Sequence, residues 1–179
     1  NRNVNYYVSA NVFDQKGLIR STGIKKYIFR SNMDIKLSDM FKVGFRVNIS
    51  RLRQENSKFN ITGLYLSTTP TRGIFDDEGN YTALDPITDG ISSNYEADIQ
   101  LRQNHNLVTN LLGNLYVEFG PWSNLVFKTT WSPEINDFKQ NRFNPGALPN
   151  NLIINNGGDA RIDNSLRTSY INENTLTYN

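Results

Sequence analysis

The sequence predicts an all-β fold: an antiparallel, up-and-down sheet of about six strands that crosses a membrane as a segment of a larger β-barrel. Three observations predict it. Apolar residues alternate with polar ones at period two through six segments. Several segments run ten to fourteen residues, beyond the usual five or six or so. The connections alternate in length, tight at one end of the strands and long at the other, as in transmembrane barrels.

The first strand is expected near 4–14, with Val4, Tyr6, Val8, Ala10 and Val12 on one face and Asn5, Tyr7, Ser9 and Asn11 on the other. A medium loop around Gln15-Lys16-Gly17 and Ser21-Thr22-Gly23 leads to a second strand near 24–37. There Tyr27, Phe29, Met33, Ile35 and Leu37 oppose Ile28, Arg30, Asn32, Asp34 and Lys36. Ser38-Asp39-Met40 reads as a tight turn into the third strand, near 41–53, where Phe41, Val43, Phe45, Val47 and Ile49 oppose Lys42, Gly44, Arg46, Asn48 and Ser50.

A long connection, about 54–105, precedes the fourth strand near 106–119, in which Leu107, Leu111, Leu115, Val117 and Phe119 oppose Asn106, Asn110, Asn114 and Glu118. Gly120-Pro121-Trp122-Ser123-Asn124 reads as a short turn. The fifth strand, near 124–136, sets Leu125, Phe127, Thr129 and Trp131 against Lys128 and Thr130. A second long connection, 137–164, is rich in Asn, Gly and Pro, and the sixth strand near 166–178 carries Leu166, Tyr170, Leu176 and Tyr178. No stretch holds helical apolar spacing for three turns, so no helix is expected.

Alternation also fits a soluble sandwich. Here the polar face carries Arg, Lys, Asp and Asn, and Tyr27, Phe29, Phe41, Phe119, Trp122 and Tyr178 sit near strand ends, like the aromatic girdles of membrane barrels. On this reading Phe29, Met33, Ile35, Phe45 and Val47 face lipid, and Arg30, Asp34, Lys36 and Arg46 line the lumen. A sheet in lipid has to close, and the smallest bacterial barrels have about eight strands, so these six need others. The chain also opens in mid-alternation and is expected to be a fragment of something longer.

Composition narrows the function classes. Of 179 residues 37% are apolar and 12% aromatic, which argues for an ordered chain. The net charge is +2 with scattered Lys and Arg, giving no basic patch for nucleic acid. There is no Cys, and the one His, His105, cannot make a paired-imidazole zinc site. No cofactor is expected. No apolar run is long enough for a membrane-spanning helix, and the first residues lack a signal-peptide pattern.

The first 53 residues resemble the barrel of a SusC/RagA-type TonB-dependent transporter. The resemblance rests on Tyr7-Val8-Ser9-Ala10-Asn11-Val12-Phe13-Asp14-Gln15-Lys16-Gly17, Ser21-Thr22-Gly23, Arg30-Ser31-Asn32-Met33-Asp34 and Lys42-Val43-Gly44. Gly113-Asn114-Leu115-Tyr116-Val117-Glu118-Phe119, then Leu125-Val126-Phe127-Lys128, resembles a later hairpin of that family, and Asn174-Thr175-Leu176-Thr177-Tyr178-Asn179 fits its end. The resemblance implies a 22-stranded outer-membrane barrel with an N-terminal plug, capped by a SusD-like surface lipoprotein. Such a barrel imports glycans or peptides with energy delivered by TonB. It therefore implies as partners the remaining strands and plug, the lipoprotein lid, TonB through an N-terminal part absent here, the lipid bilayer, and an oligosaccharide or peptide. The plug and the TonB-contacting segment are not in this sequence, so this chain alone is not expected to transport. The alternative is a soluble all-β carbohydrate-binding module whose long loops form the site.

Tyr65, Tyr81 and Tyr95 in the first long connection are the residues best placed to meet a ligand or the lid, with packing inside the loop as the plainer role. Trp122 and Trp131 could stack on sugars, but an interfacial girdle explains them more simply. Asp76-Asp77-Glu78-Gly79-Asn80 has half the look of a calcium loop, yet lacks the spacing and reads as an acidic β-turn. Asn155-Asn156-Gly157-Gly158-Asp159 reads as a flexible loop and Asn144-Pro145-Gly146 as a turn. Glu118 and Glu134 can be imagined as an acid/base pair, but scattered carboxylates on a polar face are the plainer reading, and no triad or nucleophile elbow accompanies them. An enzyme is not expected.

Overall fold

Antiparallel ladders join every strand to its neighbour in sequence, giving one six-stranded sheet of order β1-β2-β3-β4-β5-β6. The strands are β1 (Val4–Lys16), β2 (Gly23–Lys36), β3 (Phe41–Glu55), β4 (Gln103–Trp122), β5 (Leu125–Asn144) and β6 (Asp159–Tyr178). The computed structural model describes residues 3–56, 61–67, 71, 73–82, 94–146, 148 and 158–178. Among these the sheet is open: β1 and β6 each present an unpaired edge.

The register carries the two faces across the sheet. On one face Tyr6, Met33, Phe45, Leu115 and Trp131 form a transverse row, with Ala10, Phe29, Ile49, Leu111 and Ile135 as another. The other face lines up Asp34, Gly44, Tyr116 and Thr130, then Asn32 with Arg46 and Asn114. The apolar face has no second layer among the described residues: Phe29 is 43%, Leu115 44% and Trp131 47% exposed. A soluble sandwich needs that face covered, so the sandwich alternative lacks its core. From Phe41 to Ile49 the outward side chains of β3 are all apolar, and Arg51 and Arg53 follow. That band is about 27 Å along the strand, or about 20 Å of height at the usual tilt, near the roughly 25 Å of a barrel's apolar belt. Phe41 stacks on Phe119 at 4.6 Å between ring centroids, with Phe127 opposite Phe119, so aromatics edge the band at the short-turn end.

Turns follow local chemistry. In the β2–β3 turn the Ser38 hydroxyl accepts from the backbone N–H groups of Met40 (3.2 Å) and Phe41 (3.1 Å), and Lys36 pairs with Asp39 at 2.6 Å. Between β1 and β2, Ser21 takes φ 62°, and Gly17 leaves room for Thr22, whose hydroxyl would lie 2.0 Å from a Cβ there.

Three expectations are corrected. The expected turn 120–124 is only Ser123-Asn124; β4 runs on to Trp122 through a register shift between Phe119 and Trp122, which accommodates Pro121. The expected loop 137–164 is strand at both ends, since β5 continues to Asn144 and β6 begins at Asp159. There the outward positions Asp137, Lys139 and Asn141 are polar, so the alternation loses contrast while the ladder persists. The expected helix-free connection 54–105 contains α1 (Ile61–Ser67) and α2 (Tyr95–Leu101). Each has seven residues, too few for a 3.6-residue period to repeat.

Candidate functional site: the inward wall

The polar face is a wall with two chemistries. Near the short turns it is ionic and centred on Tyr116, which is 2% exposed. Gly44, directly opposite in β3, makes room for the ring: a Cβ at Gly44 would come 2.2 Å from Tyr116 Cε1. The phenol donates to Asp34 Oδ1 at 2.5 Å. Lys128 Nζ lies 4.4 Å, Arg46 Cζ 5.5 Å and Lys42 Nζ 5.6 Å from the ring centroid. Glu118 takes Lys128 at 3.0 Å and Lys42 at 3.9 Å, and Arg46 stands 3.8 Å from Asp34. Three cations thus share two carboxylates around one aromatic ring.

Further along β4 and β5 the wall is mostly amide, with Glu134 its charged side chain among the described residues between Ser132 and Gln140. Asn114 donates to Ser132 Oγ at 2.9 Å, Asn136 donates to Asn110 Oδ1, and Gln140 donates to Asn104 Oδ1 at 3.2 Å. These amides pair across the ladder and keep spare donor and acceptor capacity facing inward. At the top of the wall Asp163 bridges Arg142 (2.5 Å) and Arg161 (2.9 Å), which face each other in the register.

The first long connection packs on itself. The rings of Tyr65 and Tyr95 meet edge-on at 5.0 Å, and Tyr81 leans on Phe75 at 5.0 Å across an isolated bridge. Asn94 organises this region: its carbonyl caps α2 at Ala97 N (3.2 Å), and its amide reaches Ile74 O at 2.8 Å. Asp98, 1% exposed, pairs with Arg102 at 2.7 Å at the end of the helix, just before β4. Asp76 accepts from Glu78 N at 3.1 Å and Asn80 N at 2.7 Å, and Gly79 has φ 85°. The acidic stretch is therefore a side-chain-stapled turn, and no carboxylate or imidazole cluster of metal-binding size occurs among the described residues.

No family model matches the chain. TonB-dependent receptor P26 of Formosa agariphila is 39% identical over 176 residues, 98% of this chain and 18% of that receptor. TonB-dependent receptor P3 of the same organism is 26% identical over 187 residues, 99% of this chain and 18% of the receptor. The RagAB peptide importer in its "closed-closed" state superimposes with TM-score 0.71 over 98% of this chain and 20% of the other, at 19% identity. A second structure of the RagAB peptide transporter gives 0.69, at 20% identity, over the same shares. Over this stretch the chain is similar to TonB-dependent receptors, and it has the fold of the matched part of the RagAB structures. It spans about a fifth of the length of the relatives it matches.

The side chains selected from the sequence fall into separate places. Tyr65 (59% exposed) and Tyr95 meet, while Tyr81 sits with Phe75, so the three do not form one cluster. Trp131 lies on the outward apolar face beside Leu115, and Trp122 (66% exposed) ends β4 at the short-turn side. Glu118 and Glu134 share the inward face with different partners, Lys128 and Lys42 for one and the Ser169 hydroxyl (3.3 Å) for the other. Asn155–Gly157 lie outside the described residues, while Gly158 takes φ 70°. Sequence reasoning passed over Tyr116 as a centre; the available signal was Gly44, a glycine inside an alternating strand, which marks close approach of a neighbour.

Proposed function

We propose that this chain is part of the wall and the surface connections of a TonB-dependent importer of oligosaccharides or peptides in the cell outer membrane. The observation that carries the reading is the pairing of a continuous outward apolar band with an inward wall of amides and ions, in a chain 39% identical to a TonB-dependent receptor. Such a wall offers hydrogen bonds to a polar solute and no reactive constellation. The remaining strands close the barrel through the free edges of β1 and β6. A plug fills it, a SusD-like lipoprotein covers the long connections, and TonB acts through a segment beyond this chain. Tyr65, exposed beside Tyr95, is assigned to contact with ligand or lid, and Tyr81 and Tyr95 to support of that surface.

The test is uptake by cells carrying the complete receptor, with labelled oligosaccharides and labelled peptides offered in parallel, with and without TonB. TonB-dependent accumulation of one class, reduced by Tyr65→Ala, is the expected result. Recovery of the native protein from the soluble fraction would overturn the proposal.

A further inference from the structure

We propose that Lys16, Lys25, Arg51 and Arg53 hold the phosphate of a lipid headgroup at the long-connection edge of the apolar band, an inference that rests on the membrane reading above. All four lie on the outward face, the face of Phe29, Phe45 and Ile49. Arg51 and Arg53 are one and two outward positions beyond Ile49, about 7 and 14 Å along the strand. Tyr27, directly opposite Arg51 and 47% exposed, marks the aromatic level at which headgroups begin.

The register crowds like charges. Lys25 stands directly opposite Arg53, Arg51 is its diagonal neighbour in β3, and Lys16 is its diagonal neighbour in β1. Like charges so placed are destabilising unless an anion intervenes. Two acids reach the group: Asp14 lies 3.4 Å from Lys25, and Glu55 2.7 Å from Arg53. Lys16 and Arg51 have no ion-pair partner among the described residues. Lys16, Lys25 and Arg53 also line a cleft of about 890 Å³ between these strands, the β1–β2 loop and the end of α2. Where the inward cations share carboxylates around Tyr116, this outward group has cations in excess at the edge of the apolar band. Anionic headgroups attract such side chains by about 1 kcal/mol each.

The experiment uses the complete receptor in nanodiscs, with a phosphorylated lipid A or its dephosphorylated form as probe, and native mass spectrometry to count retained lipid. Wild type should retain the phosphorylated form selectively. Lys16→Ser/Arg51→Ser/Arg53→Ser should weaken retention on the order of a hundredfold, while Arg51→Lys/Arg53→Lys keeps it. Heat-modifiable gel migration checks that each variant is folded. Equal retention of both lipids, or retention unchanged in the triple serine variant, overturns the inference while leaving a folded membrane receptor in place. Displacement of the lipid by millimolar inorganic phosphate overturns it in favour of a free-anion site. A receptor that does not enter nanodiscs at all overturns the membrane reading itself.

Discussion

Gly44→Ala tests how the inward wall is built. The added methyl would stand 2.2 Å from Cε1 and 2.5 Å from Cζ of Tyr116, and 2.5 Å from Asp34 Oδ1. The ring is 2% exposed and flanked by three cations, so it has to leave its place over the strand. Overpacking of this kind costs about 1–3 kcal/mol. Displacing the phenol also removes its hydrogen bond to the Asp34 carboxylate, a charged-acceptor bond worth about 1.5–3 kcal/mol. The cation–π contacts add about 0.5–1 kcal/mol. Relief of the glycine's own entropic cost returns about 0.5–1 kcal/mol. The expected loss is about 2–6 kcal/mol. It is measured by guanidinium unfolding of the complete receptor in lipid vesicles, followed by tryptophan fluorescence and gel migration. Tyr116→Ala supplies the second arm of a double-mutant cycle. With the ring gone, the Asp34 carboxylate oxygen is left of the three nearest atoms, at the end of a flexible side chain, and Gly44→Ala should cost no more than about 1 kcal/mol. The same large cost in both backgrounds would refute the packing of Tyr116 on Gly44.

Two further outcomes follow from the faces and the turn. Phe45→Arg places a charge in the middle of the outward band and should destabilise by about 2–4 kcal/mol, whereas Asn48→Glu on the inward face, directly opposite Arg30, should stay within about 0.5 kcal/mol of wild type; the opposite ranking in the same unfolding assay inverts the two faces. In the β2–β3 turn, the Lys36 ammonium 2.6 Å away holds the Asp39 carboxyl below the usual carboxylate range. A depressed folded-state pKa means the pair contributes above the ordinary carboxylate pKa and is lost as pH falls through the lowered value. Lys36→Met should raise the Asp39 pKa toward its ordinary value in a carboxyl-labelled NMR titration, and an unmoved titration excludes the pair.

How much could be read in advance depended on contrast between faces. β1 and β3 were legible because five successive outward positions, such as Phe41 to Ile49, are apolar while Lys42, Arg46 and Asn48 alternate with them, and in β2 only Ser31 interrupts the outward run from Tyr27 to Ile35. The upper part of β5 was illegible because Asp137, Lys139 and Asn141 carry the outward positions there, and only the ladders to β4 and β6 hold it extended. Helix α2 depends on the Asn94 cap and the Asp98–Arg102 pair rather than on apolar spacing. The inward ionic centre joins Asp34, Gly44 and Tyr116, whose meeting depends on the β3–β4 register across a connection that hides it from sequence. The tyrosines of the long connection were selected for their place in the loop, and all three rings also pack there, Tyr65 and Tyr95 on each other and Tyr81 on Phe75.

Strands β4, β5 and β6 each have 20 residues. That is about 66 Å of extended chain, rising roughly 50 Å at a tilt of about 40°, twice the height of an apolar belt. In the proposed importer the surplus stands clear of the bilayer as a stiff collar. A molecule arriving from the side of the long connections meets that collar before it reaches membrane depth. On that reading, capture at the mouth is separated in space from passage across the bilayer.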